Sequence, residues 1–166
     1  MFSHAISLRD LGCSQSPMNA WITLNGIETL PLRMDRHCSN ALSVARFLEK
    51  HSNVEWVSYA GLNSSSYYEL GKKFLPKGAG SVFTFGIKGG FESGIKMLEN
   101  VELFSHVANF GDSRSLILHP ASTTHRQLSE EQRVSAGAGP EVIRISIGIE
   151  CVEDIISDLN QALNRI

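Results

Sequence analysis

Residues 142–149 place an arginine where it can meet a small anion. Read as an extended strand, Val142-Ile143-Arg144-Ile145-Ser146-Ile147-Gly148-Ile149 puts four isoleucines on one face. Val142, Arg144, Ser146 and Gly148 fall on the other. The isoleucine face must point to a core. On the opposite face, an arginine beside a serine and a glycine suits capture of a small carboxylate, because the guanidinium offers two parallel donors to two oxygens. A salt bridge on an exposed sheet face is the competing reading, and spacing alone favours it.

A second constellation is Asn109-Phe110-Gly111-Asp112, followed by Leu116-Ile117-Leu118-His119-Pro120-Ala121-Ser122-Thr123-Thr124-His125. A polar loop feeds a short apolar strand and then a run of small hydroxyl residues between two histidines. Loops at strand ends line ligand sites, whereas Ser and Thr runs also serve as plain caps. His119 and His125 do not have the spacing of a zinc site, since a proline lies between them and no acidic ligand stands at helical distance. No metal is expected. Gly86-x-x-Gly89-Gly90 lacks the Lys and Ser/Thr of a phosphate loop and reads as a strand-to-helix turn. No Ser/His/Asp order and no carboxylate pair stands out, so no catalytic residue is assigned.

The elements that must carry these residues follow from periodicity. Residues 1–52 read as helical: Ser16-Pro17 is a cap with proline at the first helical position, and Trp21, Ile22, Leu24, Ile27 and Leu30 make 20–30 apolar. Pro31 should end or kink that helix. A second helix from about Ser39 carries Ala41, Val44, Ala45 and Leu48 on one face. Strand-like stretches at 54–59, 81–88, 116–119 and 142–149 then alternate with helical stretches at 67–75 and 91–101, a capping box at Ser129-x-x-Gln132, and a final helix striped by Val152, Ile155, Ile156, Leu159 and Leu163. The expected fold class is α/β (α+β): four short strands in a small open sheet covered on one face by helices. The expected domains are a helical linking segment, 1–52, and a C-terminal small domain, 53–166.

With 166 residues, 42% hydrophobic, 19% charged and a net charge of −2, the chain has the composition of one globular domain and no basic stripe for nucleic acid. No apolar run is long enough to span a membrane and no charged start leads into a signal region, so a cytoplasmic setting is expected. Cys13, Cys38 and Cys151 are far apart and read as free thiols.

Several ordered motifs resemble one family. Leu8-Arg9-Asp10-Leu11-Gly12, Ser16-Pro17-Met18-Asn19-Ala20, Gly26-Ile27-Glu28-Thr29-Leu30 and Leu32-Arg33-Met34 are similar to the segment following the cofactor lysine in the Cys/Met-metabolism family of pyridoxal-phosphate enzymes. Gly78-Ala79-Gly80, the 119–125 run and Arg144-Ile145-Ser146-Ile147-Gly148-Ile149-Glu150 match further on, in the family's order. Asn109-Phe110-Gly111-Asp112 and the paired threonines favour the O-acetylhomoserine sulfhydrylase branch, also called O-acetylhomoserine aminocarboxypropyltransferase. The resemblance implies the C-terminal domain of fold type I preceded by linking helices, and replacement of the acetoxy group of O-acetylhomoserine by sulfide or a thiol in methionine and cysteine biosynthesis. It implies Arg144 as the holder of the substrate α-carboxylate, Asn109 as a polar neighbour, and Thr123 and Thr124 as residues near the substrate side chain.

One departure is large. The family's chemistry needs a Schiff-base lysine, an acidic partner for the pyridine nitrogen and a phosphate cradle, all preceding this segment. None of Lys50, Lys72, Lys73, Lys77, Lys88 and Lys96 stands in the family's Ser-x-Thr-Lys setting. Lys88, at a strand end before two glycines, matches a structural position. A smaller departure is Ala60, where the family has proline. The expectations are therefore a C-terminal fragment of a sulfhydrylase-like transferase, inactive and binding no pyridoxal phosphate alone, whose N-terminal half another chain supplies; or else a non-catalytic, self-associating module or gene remnant. The second is favoured for the isolated chain. A homo-oligomer through residues 1–35 is expected, since Trp21, Ile22, Leu24 and Ile27 would lack cover. A small amino-acid substrate is the family's, and no nucleic-acid or membrane partner is expected. A histidine-based metal hydrolase is a third reading, requiring bound metal.

Overall fold

Short local signals set the first helices. The computed structural model describes residues 6, 8–12 and 14–166; Cys13 lies outside them. Contacts divide the chain into two compact units, residues 1–32 and 33–166. The first holds α1 (Leu8–Leu11) and α2 (Pro17–Glu28). The Ser16 hydroxyl accepts the Asn19 amide proton at 3.2 Å, and Pro17 sits in the first turn, where its missing N–H costs nothing. No residue of α2 is buried. The helix stops at Thr29, and α3 (Leu30–Leu48) begins there, not at Ser39. Pro31 thus opens a helix rather than closing one, because its ring is tolerated in a first turn.

The second unit is built on a five-stranded sheet in the order β1 (Val54–Ser58), β2 (Val82–Ile87), β5 (Val142–Ser146), β4 (Leu116–Leu118) and β3 (Ser105–His106). All neighbours are antiparallel except β3 and β4, which run parallel. One strand more is present than the four expected. β3 has only two residues, serine and histidine, and so carries no periodicity to read. The remaining helices are α4 (Tyr68–Phe74), α5 (Gly90–Asn100), α6 (Glu130–Ser135) and α7 (Val152–Leu163), with one 3-10 turn at Pro120–Ser122.

Burial explains the layers. Phe83, Phe85 and Ile87 of β2 and Ile143 and Ile145 of β5 share one buried cluster with Ala41, Val44, Ala45 and Leu48 of α3 and with Ile155 and Leu159 of α7. Each large aliphatic or aromatic side chain there is worth about 1.5–3 kcal/mol of burial. Most of α3 thus belongs to the sheet's core, and the contact boundary falls after Leu32. The Ser129 capping box forms, with Ser129 Oγ accepting from Gln132 N at 3.3 Å and Gln132 Oε1 from Ser129 N at 3.0 Å.

β5 ends at Ser146, three residues before the expected Ile149. Beyond it the chain passes so close to residues 113–115 that a methyl on Gly148 would lie 2.5 Å from the Ser113 carbonyl oxygen. The segment is held by other bonds. Ile149 N donates to Ser113 O at 2.9 Å, Gly148 N to Ser115 Oγ at 2.9 Å, and Asn40 Nδ2 of α3 to the carbonyls of Gly148 and Glu150 at 3.1 and 2.9 Å. No helix among the described residues is long and apolar enough to cross a membrane.

Candidate functional site

Arg144 lies at the middle of the middle strand. Its Cα pairs with Thr84 on β2 and with Leu118 on β4, so its side chain rises from the sheet centre. Val142 and Ser146, two residues either way and on the same face, are buried, while Arg144 itself is only half-buried. Among the described residues, no hydrogen bond or ion pair engages its guanidinium; the pairs Arg9–Asp10, Lys72–Glu69 and Arg114–Asp112 form elsewhere. The competing reading of the sequence, a surface salt bridge, is therefore not what forms. A half-buried, unpaired guanidinium keeps its whole fork of donors available for an anion. The Ser146 hydroxyl beside it is also buried without a partner.

The other three predicted residues lie in the segments that follow β3 and β4, and none of them is hydrogen-bonded to Arg144. Asn109 follows the edge strand β3, is exposed, and accepts its neighbour's amide proton, Phe110 N to Asn109 Oδ1, at 2.9 Å. Thr123 and Thr124 follow the 3-10 turn that starts two residues after Leu118. Both are exposed; Thr123 donates its hydroxyl to the His119 carbonyl at 2.7 Å, and Thr124 Oγ1 meets His125 Nδ1 at 2.8 Å. Among the described residues no hydrogen bond links any of the four candidates to another.

His119 is fully buried. Its Nε2 lies 2.9 Å from the Pro140 carbonyl oxygen and its Nδ1 2.9 Å from Ser122 Oγ. Both ring nitrogens are spent on the protein, which leaves no lone pair for a metal. Among the described residues no group of three His, Cys, Asp or Glu could hold a metal ion. Burial pushes the imidazole below its ordinary 6.5, and the Arg133 charge adds to that; the Pro140 carbonyl and Glu141 act the other way. Sequence reading weighed His119 only as a metal ligand and missed its structural bonds.

The residues present do not fit a pyridoxal-phosphate Schiff base. All six lysines are exposed, Lys88 among them, whereas an imine-forming lysine needs a desolvated pocket to lower its proton affinity. No chemical step through that cofactor is derived for these residues. Cys38 and Cys151 are free thiols.

A cavity lies apart from Arg144. It has about 540 Å³ and is lined from α3 by Asp35, Cys38 and Leu42, from the turn after β1 by Tyr59, and from the 71–79 region by Lys72 and Lys77. Burial, with a smaller contribution from Cys38, pushes the Tyr59 phenol up to about 12, and its hydroxyl donates to the Gly80 carbonyl at 2.9 Å.

Comparison with known proteins adds to this geometry. The profile of the family described as Cys/Met metabolism PLP-dependent enzyme matches residues 2–164. The chain is 51% identical over 160 residues to the O-acetyl-L-homoserine sulfhydrylase of Leptospira meyeri, covering 96% of this chain and 36% of that protein. It is 46% identical over 157 residues to the homocysteine synthase of Schizosaccharomyces pombe, covering 95% and 37% respectively. Among solved structures, an O-acetylhomoserine (thiol)-lyase from Campylobacter jejuni, determined with N'-pyridoxyl-lysine-5'-monophosphate, superposes with a TM-score of 0.88 at 44% identity, over 98% of this chain and 39% of that one. The chain thus spans little more than a third of the length of the relatives it matches.

Proposed function

The chain belongs to the family of Cys/Met metabolism PLP-dependent enzymes, and from that premise we propose that it is the substrate-recognising part of an O-acetylhomoserine sulfhydrylase-like transferase. In this reading Arg144 holds the α-carboxylate of an O-acetylhomoserine-like amino acid through two parallel N–H···O bonds. Asn109 supplies a polar neighbour, and Thr123 and Thr124 flank the substrate side chain. The cofactor lysine comes from residues outside this chain, whether on a partner chain or not, in a cytoplasmic setting where the cysteines stay reduced. Pyridoxal phosphate, where bound, would supply the electron sink for replacing the acetoxy group by sulfide or a thiol.

The observation that carries the reading is the unpaired, half-buried guanidinium at the centre of the sheet. Its test is binding of O-acetyl-L-homoserine to the purified chain, followed by NMR. Arg144→Ala should weaken binding roughly 10–100-fold, the worth of a charge-assisted bidentate contact, and Arg144→Lys by less. Equal binding by wild type and Arg144→Ala would remove the reading.

A second reading has its own observation. Trp21, Ile22, Leu24 and Ile27 are each 57–61% exposed on α2. A non-catalytic module that self-associates through residues 1–35 would cover them. Sedimentation across a concentration series decides: a monomer throughout refutes self-association, and dissociation by Trp21→Glu with Ile27→Glu supports it.

A further inference from the structure

His119 joins two parts of the chain that carry the candidate substrate contacts. A carbonyl oxygen only accepts, so Nε2 facing Pro140 O at 2.9 Å must bear the ring proton and donate it. The neutral ring then offers Nδ1 as an acceptor, and the Ser122 hydroxyl donates into it at 2.9 Å. Pro140 stands two residues before β5, the strand of Arg144, and Ser122 stands one residue before Thr123. One imidazole therefore pins the threonine turn to the entry of the arginine strand.

The surroundings are shaped to hold that ring still. A methyl on Gly94 of α5 would lie 2.6 Å from His119 Nε2 and 2.8 Å from Cδ2 and Cε1, so the helix reaches the ring only because this residue is glycine. The Phe91 ring, also on α5, packs at 5.3 Å between centroids. From α6, Arg133 Nη1 donates to the Ala121 carbonyl at 3.2 Å and ties the same turn a second time. The His119 carbonyl accepts the Thr123 hydroxyl at 2.7 Å, which orients that side chain directly.

We propose that His119 is a positioning residue, holding Thr123 and Thr124 in the placement relative to Arg144 that binds an amino-acid substrate by its carboxylate and side chain together. This rests on the reading of Arg144 as the carboxylate anchor. The charged groups facing the ring are Arg133 from α6 and Glu141 just before β5; Phe91 and Gly94 of α5 carry no charge. Protonation turns Nδ1 into a donor, so the Ser122 hydroxyl must turn round to accept from it, and places a cation in a closed pocket. The neutral form lasts down to a pH below the ordinary histidine value, and binding falls off on the acid side of that point.

The test measures the affinity of the chain for O-acetyl-L-homoserine against pH in wild type, His119→Ala, His119→Gln and Gly94→Ala. The glutamine amide reaches the Nε2 position and keeps the Pro140 bond, without a titrating group. Expected are roughly tenfold weaker binding for His119→Ala, recovery to within about threefold for His119→Gln, and loss of the acid limb in both. Should His119→Ala fail to fold, Gly94→Ala, which keeps the imidazole but displaces it, is expected to bind at least about fivefold more weakly. Wild-type affinity and an unchanged acid limb in the histidine variants, with Arg144→Ala still defective, overturn the proposal and leave Arg144 as anchor. If Arg144→Ala binds normally, the underlying reading falls, and the role of His119 with it.

Discussion

Replacing Asp158 should be the most costly single change among the polar residues of the second unit. Its carboxylate, only 7% exposed on α7, accepts the backbone protons of Glu102 at 2.8 Å, Leu103 at 2.9 Å and Phe104 at 3.4 Å, and the Gln161 amide at 3.1 Å. It thereby closes the turn leaving α5. Two short bonds to a charged acceptor are worth about 1.5–3 kcal/mol each, and the third is too long to add much. Asp158→Ala removes these and strands amides in a largely dry site, so a loss of about 3–5 kcal/mol follows. Asp158→Asn keeps one acceptor but turns an NH2 toward an N–H, and about half that loss is expected. The assay is urea unfolding followed by circular dichroism. With a slope of about 2 kcal/mol per molar urea, Asp158→Ala should lower the midpoint by roughly 1.5–2.5 M with the slope unchanged. A drop below about 0.5 M at equal slope would show that the carboxylate does not hold the turn.

Two further outcomes follow from local geometry. The Tyr59 phenol, raised from 10.0 to about 12, should ionise only near that pH in ultraviolet difference titration. Since the folded state grips that proton more tightly, its contribution to stability is complete below pH 10 and lost as pH rises through about 12. A Tyr59→Phe variant that removes a step near pH 10 instead would contradict this. Gly86→Ala would drive a methyl into the Trp56 indole, which lies over that glycine across the β1–β2 pair. A loss of about 1–3 kcal/mol and a shifted Trp56 emission, read in a Trp21→Phe background, are expected. Unchanged emission and stability would count against the overlap.

Much of this molecule was readable from its chain alone. Periods of two and 3.6, with Pro and Gly marking the ends, located β1, β2, β4, β5, α4, α5 and α7 to within a few residues, because alternating or amphipathic burial and chain-breaking residues are both written into residue order. The capping box at Ser129 and the glycine pair at the start of α5 were visible for the same local reason; Gly89 takes a φ of +88° that other residues avoid. The motifs carrying the family resemblance are also a property of residue order, and the family match over residues 2–164 agrees with them. Where the reading stopped, non-local contacts had taken over. The start of α3 at Leu30, the end of β5 at Ser146 and the two-residue β3 depend on what packs beside them.

The site divides along the same line. Sequence determined that Arg144 shares a strand face with Ser146 and Val142, since alternation along a strand is local. It could not decide between a solvent salt bridge and an open anion fork, because that depends on whether a carboxylate from elsewhere in the chain comes within reach. Tertiary structure brings no carboxylate to Arg144 among the described residues and sets the uncharged Thr84 and Leu118 beside it across the sheet. Likewise, a histidine before a proline says nothing of its partners in one dimension. Only folding brings Pro140, Ser122 and the bare backbone of Gly94 around His119, because a buried imidazole must find a donor and an acceptor wherever the chain supplies them.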